Sequence, residues 1–246
     1  MKEFPDYRSA AAPRPGSADI GNESAAFDAG LRSYMLSVYN YMTSGVLLTG
    51  IVALLFARSG MAAEILMGPG ILKYVIMFSP LLFVMVLSFG ITRLSTGAAQ
   101  ALFWAFAVVM GLSLSSIFLV FTGQSIATTF FATAAAFAGL SLWGYTTKKD
   151  LSRFGTFLIM GVFGLLVAMI INLFVQSTAL QMAVSFIGVL LFAGLTAYDT
   201  QRIKSLYSQV AGTDMMGKTV IMGALSLYLD FVNMFTFLLQ LMGSRE

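Results

Sequence analysis

Seven charge-poor stretches alternate with short polar segments along the chain, at about 34–56, 74–92, 98–121, 126–145, 154–175, 179–198 and 219–241. Each is 19 to 24 residues long, which matches the roughly 20 residues an α-helix needs to cross a hydrocarbon core of ~30 Å. The pattern therefore predicts an all-α membrane protein with seven transmembrane helices. Pro80 falls inside the second stretch and is expected to kink it. Small residues cluster at Gly139-Leu140-Ser141 and Gly161-Val162-Phe163-Gly164, where they would let neighbouring helices approach closely. Residues 1–33 are polar and hold three of the five prolines. They lack the apolar core and cleavage site of a secretory signal. The chain thus divides into a disordered N-terminal tail, 1–30, and a transmembrane domain, 31–246, with Ala25–Arg32 leading helically into the first span.

The periodicity after Tyr198 extends the sixth span. Asp199, Ile203, Leu206 and Val210 recur at spacings of four, three and four, with Tyr207 alongside, which is one face of a helix. Gly212 is a natural helix stop and Thr213 a natural start. The sixth helix is therefore expected to project past the membrane to about Ala211, with its apolar stripe, and Asp199 on it, turned toward the protein. A solvated Asp at a helix end is the ordinary alternative, and the stripe argues against it.

Composition sharpens the picture. Of 246 residues, 58% are hydrophobic and 10% charged, against about 25% charged in soluble domains. With no cysteine and no histidine, disulfides, thiolate or imidazole metal sites and Cys- or His-based catalysis are excluded. Any bound metal would be a hard cation on oxygen ligands, calcium or magnesium before zinc. The net charge of +3 comes with no nucleic-acid motif, and the basic residues are explained by orientation. With the N-terminus inside, 11 basic residues (Lys2, Arg8, Arg14, Arg32, Arg93, Lys148, Lys149, Arg153, Arg202, Lys204, Lys218) lie inside, and 3 (Arg58, Lys73, Arg245) lie outside. That split predicts a cytoplasmic N-terminus and an outside C-terminus.

Asp230 is the costly residue. It lies eleven residues into the otherwise uncharged run from Thr219 to Leu241, where an ionisable group costs roughly 2.5–3.5 kcal/mol on insertion scales. Gly223, Ser226, Asp230 and Asn233 follow at spacings of three and four, a strip that belongs in the bundle interior. A purely structural hydrogen-bonding role for Asp230 is the alternative. Counted from Gly212, Asp199 lies 13 residues back and Asp230 lies 18 forward. Their depths thus differ by about 7.5 Å at ~1.5 Å per residue, and the carboxylates can be neighbours. Arg93, at the end of the second span, is either an ordinary positive-inside anchor or an ion-pair partner for Asp199. Asn172 and Gln176, on one face of the fifth span, are expected to hydrogen-bond between helices.

Four segments carry a resemblance: Met110–Phe118 (MGLSLSSIF), Gly144–Leu151 (GYTTKKDL), Ala193–Gln201 (AGLTAYDTQ) and Ala224–Asn233 (ALSLYLDFVN). They are similar to the Bax inhibitor-1 family, in its bacterial YccA-like branch, over about residues 30–243. The resemblance implies a seven-helix bundle whose last helix is central between two three-helix layers. It implies a pH-sensitive calcium leak in the bacterial inner membrane, with no enzymatic activity and no cofactor, calcium being the transported ion. Asp199 and Asp230 match its paired-carboxylate pH sensor, and Arg93 matches its latch to Asp199. The 31-residue separation of the two aspartates is longer than that family pattern, and the basic C-terminal tail of some eukaryotic relatives is absent.

The chemistry of such a pair is general. Two carboxylates in a poorly solvated site repel and share a proton, so the pair can change charge near neutral pH without histidine. On this reading the singly protonated pair, with Arg93 on Asp199, closes the cytoplasmic side. Its loss opens a path where Asp230 transiently attracts calcium, with Ser226 and Asn233 as supporting polar groups. The rival from a different class is a non-conducting regulator in a stress response, binding a membrane-anchored ATP-dependent protease through the polar N-terminal tail. An aspartyl intramembrane protease would use paired aspartates as acid and base, but the Gly-x-Gly-Asp pattern of such enzymes is missing.

Overall fold

In the computed structural model the chain is described over residues 17–245, with side chains from residue 25 onward. Eight helices follow one another: α1 (Ser17–Arg58), α2 (Met61–Met67), α3 (Leu72–Gly90), α4 (Thr96–Leu114), α5 (Gly123–Thr146), α6 (Ser152–Val175), α7 (Thr178–Val210) and α8 (Met215–Met242). A 3-10 turn, Ser115–Leu119, continues α4. All but the short α2 are long and apolar enough to cross a membrane. Among the described residues there is no strand, only an isolated antiparallel bridge between Phe121 and Arg245.

The boundaries follow local chemistry. Ser95, Thr122 and Ser177 cap α4, α5 and α7, their hydroxyls accepting the backbone N–H of Ala98, Ser125 and Leu180, as N-cap residues do. Helix α7 runs the expected extra length to Val210, and Gly212 makes the turn with φ +73°. The Thr213 hydroxyl then accepts from the Met215 N–H at 3.3 Å. Pro80 lies inside an uninterrupted α3. The described helix already begins at Ser17, inside the segment assigned to the tail. Its exposed Phe27 ring lies 5.0 Å from that of Tyr207 on the projecting part of α7. The remainder of the tail, residues 1–16, lies outside the described residues.

Helix α8 is the most enclosed span. In its most apolar window 72% is buried, against 11–33% for the other six. Its neighbours are α7, α1, α5 and α4. Successive side chains face different partners: Tyr228 packs edge-on against Phe106 of α4, and Phe231 against Phe130 and Phe137 of α5. Phe237 stacks on Phe192 of α7. Asp230 lies on the buried part of this helix, so whatever it does, it does inside the protein.

Small residues set the helix spacing. A Cβ at Gly144 of α5 would collide with the backbone of Ala197 on α7. At Gly161 it would lie 2.6 Å from the Leu191 side chain. Gly139 and Gly164 have open space instead, so only half of these four positions serve close packing.

Candidate functional site

The site is built across the α7–α8 hairpin. On α7 the stripe read from the sequence is turned inward: Asp199, Ile203 and Tyr207 are buried, Leu206 and Val210 half-buried. On α8, Gly223 admits Ile203, whose side chain fills the space a Cβ would take. That close approach joins the two helices four residues from Asp199 and seven from Asp230. Asp199 is 9% exposed and Asp230 4%, and the two carboxyls lie within electrostatic reach of one another.

The environments of the two carboxyls differ. Asp230 Oδ2 is buried with no hydrogen-bond partner among the described residues. Asp199 has a cation on its own helix, Arg202, within electrostatic reach. Arg202 itself is exposed, so Asp199 sits at the wet edge of the site and Asp230 at the dry end. An unpaired charge at that dry end is costly.

Arg93 is exposed and makes no ion pair at this site among the described residues. Helix α3 ends at Gly90, and the backbone N–H of Arg93 closes the following turn on the Gly90 carbonyl at 2.9 Å. That turn leaves its side chain exposed. Ser226 and Asn233 are half-buried, and the Asn233 amide donates to Leu229 O of its own helix at 2.8 Å instead of reaching the pair. Asn172 departs from the interhelical role expected of it. Its Oδ1 accepts the Ser177 N–H at 3.0 Å, closing the α6–α7 turn in which Gln176 takes the left-handed conformation, φ 51°.

Polar contacts that the periodicity did not reveal surround the pair. Tyr39 of α1 bonds Ser141 of α5 at 2.6 Å, and Ser141 bonds Thr200 of α7 at 2.9 Å. Thr200 gives its own proton to Thr196 O, so the chain runs from Tyr39 through Ser141 to the residue next to Asp199. Beyond Asp230, Tyr228 reaches Thr49 of α1 at 2.7 Å, and Thr49 donates to Ala107 O at 2.8 Å. Gln201 clamps the α5–α6 loop, accepting from Leu151 N and donating to Lys149 O, both at 2.8 Å. Tyr228, Thr200 and Gln201 lie in the Leu-Tyr-Leu-Asp and Tyr-Asp-Thr-Gln segments and are visible as motif neighbours. Thr49 carries no sequence signal, because one Thr in an apolar span is ordinarily a back-bonded helix residue.

Comparison with known proteins agrees in one direction. The family model described as inhibitor of apoptosis-promoting Bax1 matches residues 31–246. The inner membrane protein YbhL of Escherichia coli K12 is 46% identical over 220 residues, covering 89% of this chain and 94% of its own. An uncharacterized Rickettsia prowazekii protein, RP147, is 44% identical over 226 residues, 92% of this chain and 95% of its own. A Lactococcus lactis protein, YrjE, is 38% identical over 217 residues, covering 87% and 92%.

Proposed function

The chain belongs to the Bax inhibitor family of membrane proteins, and from that premise we propose that it is a pH-sensitive calcium leak of the bacterial inner membrane, gated by Asp199 and Asp230. The observation that carries this reading is the pair itself. Two carboxyls are buried in the bundle on adjoining helices, and one of them, Asp230, has an oxygen with no partner among the described residues. Two like charges in so poorly solvated a place share one proton. Losing that proton leaves two repelling carboxylates across the α7–α8 interface; gaining a second removes the negative charge that would draw in a cation.

Calcium fits as cargo better than as a resident ion. Calcium takes roughly six to eight oxygen ligands, while among the described residues no three acidic groups converge. A calcium ion at Asp230 is then one in passage. Arg202 lies within electrostatic reach of Asp199, and a latch from Arg93 would need an arrangement of α3 in which its exposed side chain reaches Asp199. The N-terminus is cytoplasmic on this reading, which puts the Asp199 end of the bundle on the basic, inner side.

Calcium flux into proteoliposomes across pH 6–8 tests the proposal. Wild type is expected to change its flux across that range, and Asp199→Asn and Asp230→Asn to flatten the profile. Unchanged flux and an unchanged profile in both variants would sink the sensor. A non-conducting regulator of a membrane-anchored ATP-dependent protease is the second reading. It is favoured by the projection beyond the spans, where α1 and α7 meet through Phe27 and Tyr207. Deleting residues 1–25 separates the two: loss of protease modulation with intact flux supports the regulator.

A further inference from the structure

Helices α1 and α5 both pack on α8, yet between them lies an apolar cavity of about 700 Å³. That volume is within the roughly 300–1,000 Å³ of small-molecule sites. Its deep wall is Met35, Val46, Phe137 and, from α8, Phe231, all buried. Its mouth is Leu36, Leu47, Ala138 and Leu142, all exposed, so it opens sideways toward the bilayer.

The wall makes little polar demand on an occupant. Two of its hydroxyls are spent on protein partners, Ser141 donating to Thr200 and Tyr39 to Ser141, which leaves those of Thr43 and Tyr145 among the lining residues. Water would gain little there, and a hydrocarbon chain would fit. One end of the groove is different. Arg32 lines it from α1 and Tyr145 from α5. The Lys204 ammonium lies 4.8 Å over the Tyr145 ring and donates to the Tyr145 carbonyl at 2.8 Å. The acid nearest in sequence is Asp28, one turn before Arg32 and exposed. One cation that lines the cleft, Arg32 of α1, and a second, Lys204 of α7, held against the lining Tyr145 thus mark this end of a greasy cleft between membrane spans. That is the arrangement of sites for anionic lipid headgroups, and a guanidinium suits a phosphate's paired oxygens.

We propose that the α1–α5 groove binds an anionic phospholipid, one acyl chain lying in the cleft and the headgroup phosphate held by Arg32 with Lys204 beside it. The bilayer supplies the occupant and also covers the opening. The site is independent of whether the chain conducts calcium. Its inner wall nonetheless includes Ser141, hydrogen-bonded to the residue that follows Asp199.

Native mass spectrometry of the full chain, released from detergent after incubation with phosphatidylglycerol or phosphatidylcholine, tests this. Wild type is expected to retain phosphatidylglycerol preferentially. Arg32→Gln should lower that retention about fivefold, the share of one basic group near a lipid surface. Ala138→Trp, introduced at an exposed position that faces the cleft, should block it sterically. Arg153→Gln, which removes a basic residue away from the groove, should change nothing. Equal retention of the two lipids by wild type, or full phosphatidylglycerol retention by Arg32→Gln, overturns the proposal. Because the Arg32 side chain is exposed, that variant decides the matter even if Ala138→Trp does not fold.

Discussion

Depth decides what an aspartate does in this chain. Asp150 is fully exposed just before α6, where hydrogen bonds from Ser152 hold its carboxyl below the ordinary value of 3.8. Because the folded value is depressed, its contribution is present above the ordinary aspartate value and is lost as pH falls through the lower folded one. Amide exchange in the first turn of α6 is expected to quicken in Asp150→Ala at neutral pH and to match wild type in strong acid. Asp230 is the reverse case, a carboxyl whose ionised form has nothing to pair with. Asp230→Asn imitates the protonated acid and can donate to Asp199. It is therefore expected to stabilise the protein by about 1–3 kcal/mol at neutral and alkaline pH and to have no such effect in acid, seen as a pH-dependent shift in apparent Tm. A functional group that costs stability is a familiar exchange. The buried Thr49 supplies a sharper contrast. Thr49→Val orphans the Tyr228 hydroxyl and should cost about 1–3 kcal/mol, whereas Tyr228→Phe leaves Thr49 bonded to Ala107 O and should cost about 0.5–1.5 kcal/mol. Equal losses in thermal unfolding would contradict a Thr49 hydroxyl that donates to Ala107 O and accepts from Tyr228. Asp230 is legible from sequence because a charge in an apolar run stands out; Thr49 is not, because nothing local distinguishes it.

Helices are the most legible objects. The apolar stretches need only length, and the projection of α7 needs only the spacing of Asp199, Ile203, Leu206 and Val210. The start of α1 is harder to read, since the composition of residues 17–30 is polar and its helix shows in no apolar periodicity. The distance of Arg93 from the end of the second span fixes its depth, but does not say which way a turn after Gly90 will aim the side chain. Glycines show the same limit. Gly139 and Gly144 sit five residues apart in α5 and look alike in sequence. Only Gly144 touches another backbone, that of Ala197. Gly144→Ala is therefore expected to push α5 from α7 and to cost about 1–3 kcal/mol as overpacking does. Gly139→Ala has open space and should be neutral or gain up to ~1 kcal/mol in helix propensity. Comparing the two variants in one unfolding assay checks the interface without reference to any activity.

Across the whole molecule, seven spans would put the two described ends on opposite faces, and the distribution of basic residues predicts which side each takes. The absence of native cysteine makes this easy to examine. Ser208→Cys, on the projecting end of α7, is expected to react with an impermeant thiol reagent only from the cytoplasmic side, and Ser59→Cys only from the other; the opposite pattern reverses the topology. The overall bundle follows from hydropathy, while the burial of Asp199 and Asp230 on adjoining helices, 31 residues apart in sequence, needs the hairpin geometry at Gly212 and the close seat of Ile203 on Gly223. The proposed gate stands on that arrangement, on one proton shared by two carboxyls. Infrared difference spectroscopy of the protein in lipid, titrated across pH 6–8, reports it directly through the carbonyl stretch of a protonated carboxyl. The predicted result is such a band at neutral pH in wild type that disappears in Asp230→Asn, the buried carboxyl of the pair. No protonated carboxyl at neutral pH, or a band that survives Asp230→Asn unchanged, would contradict it.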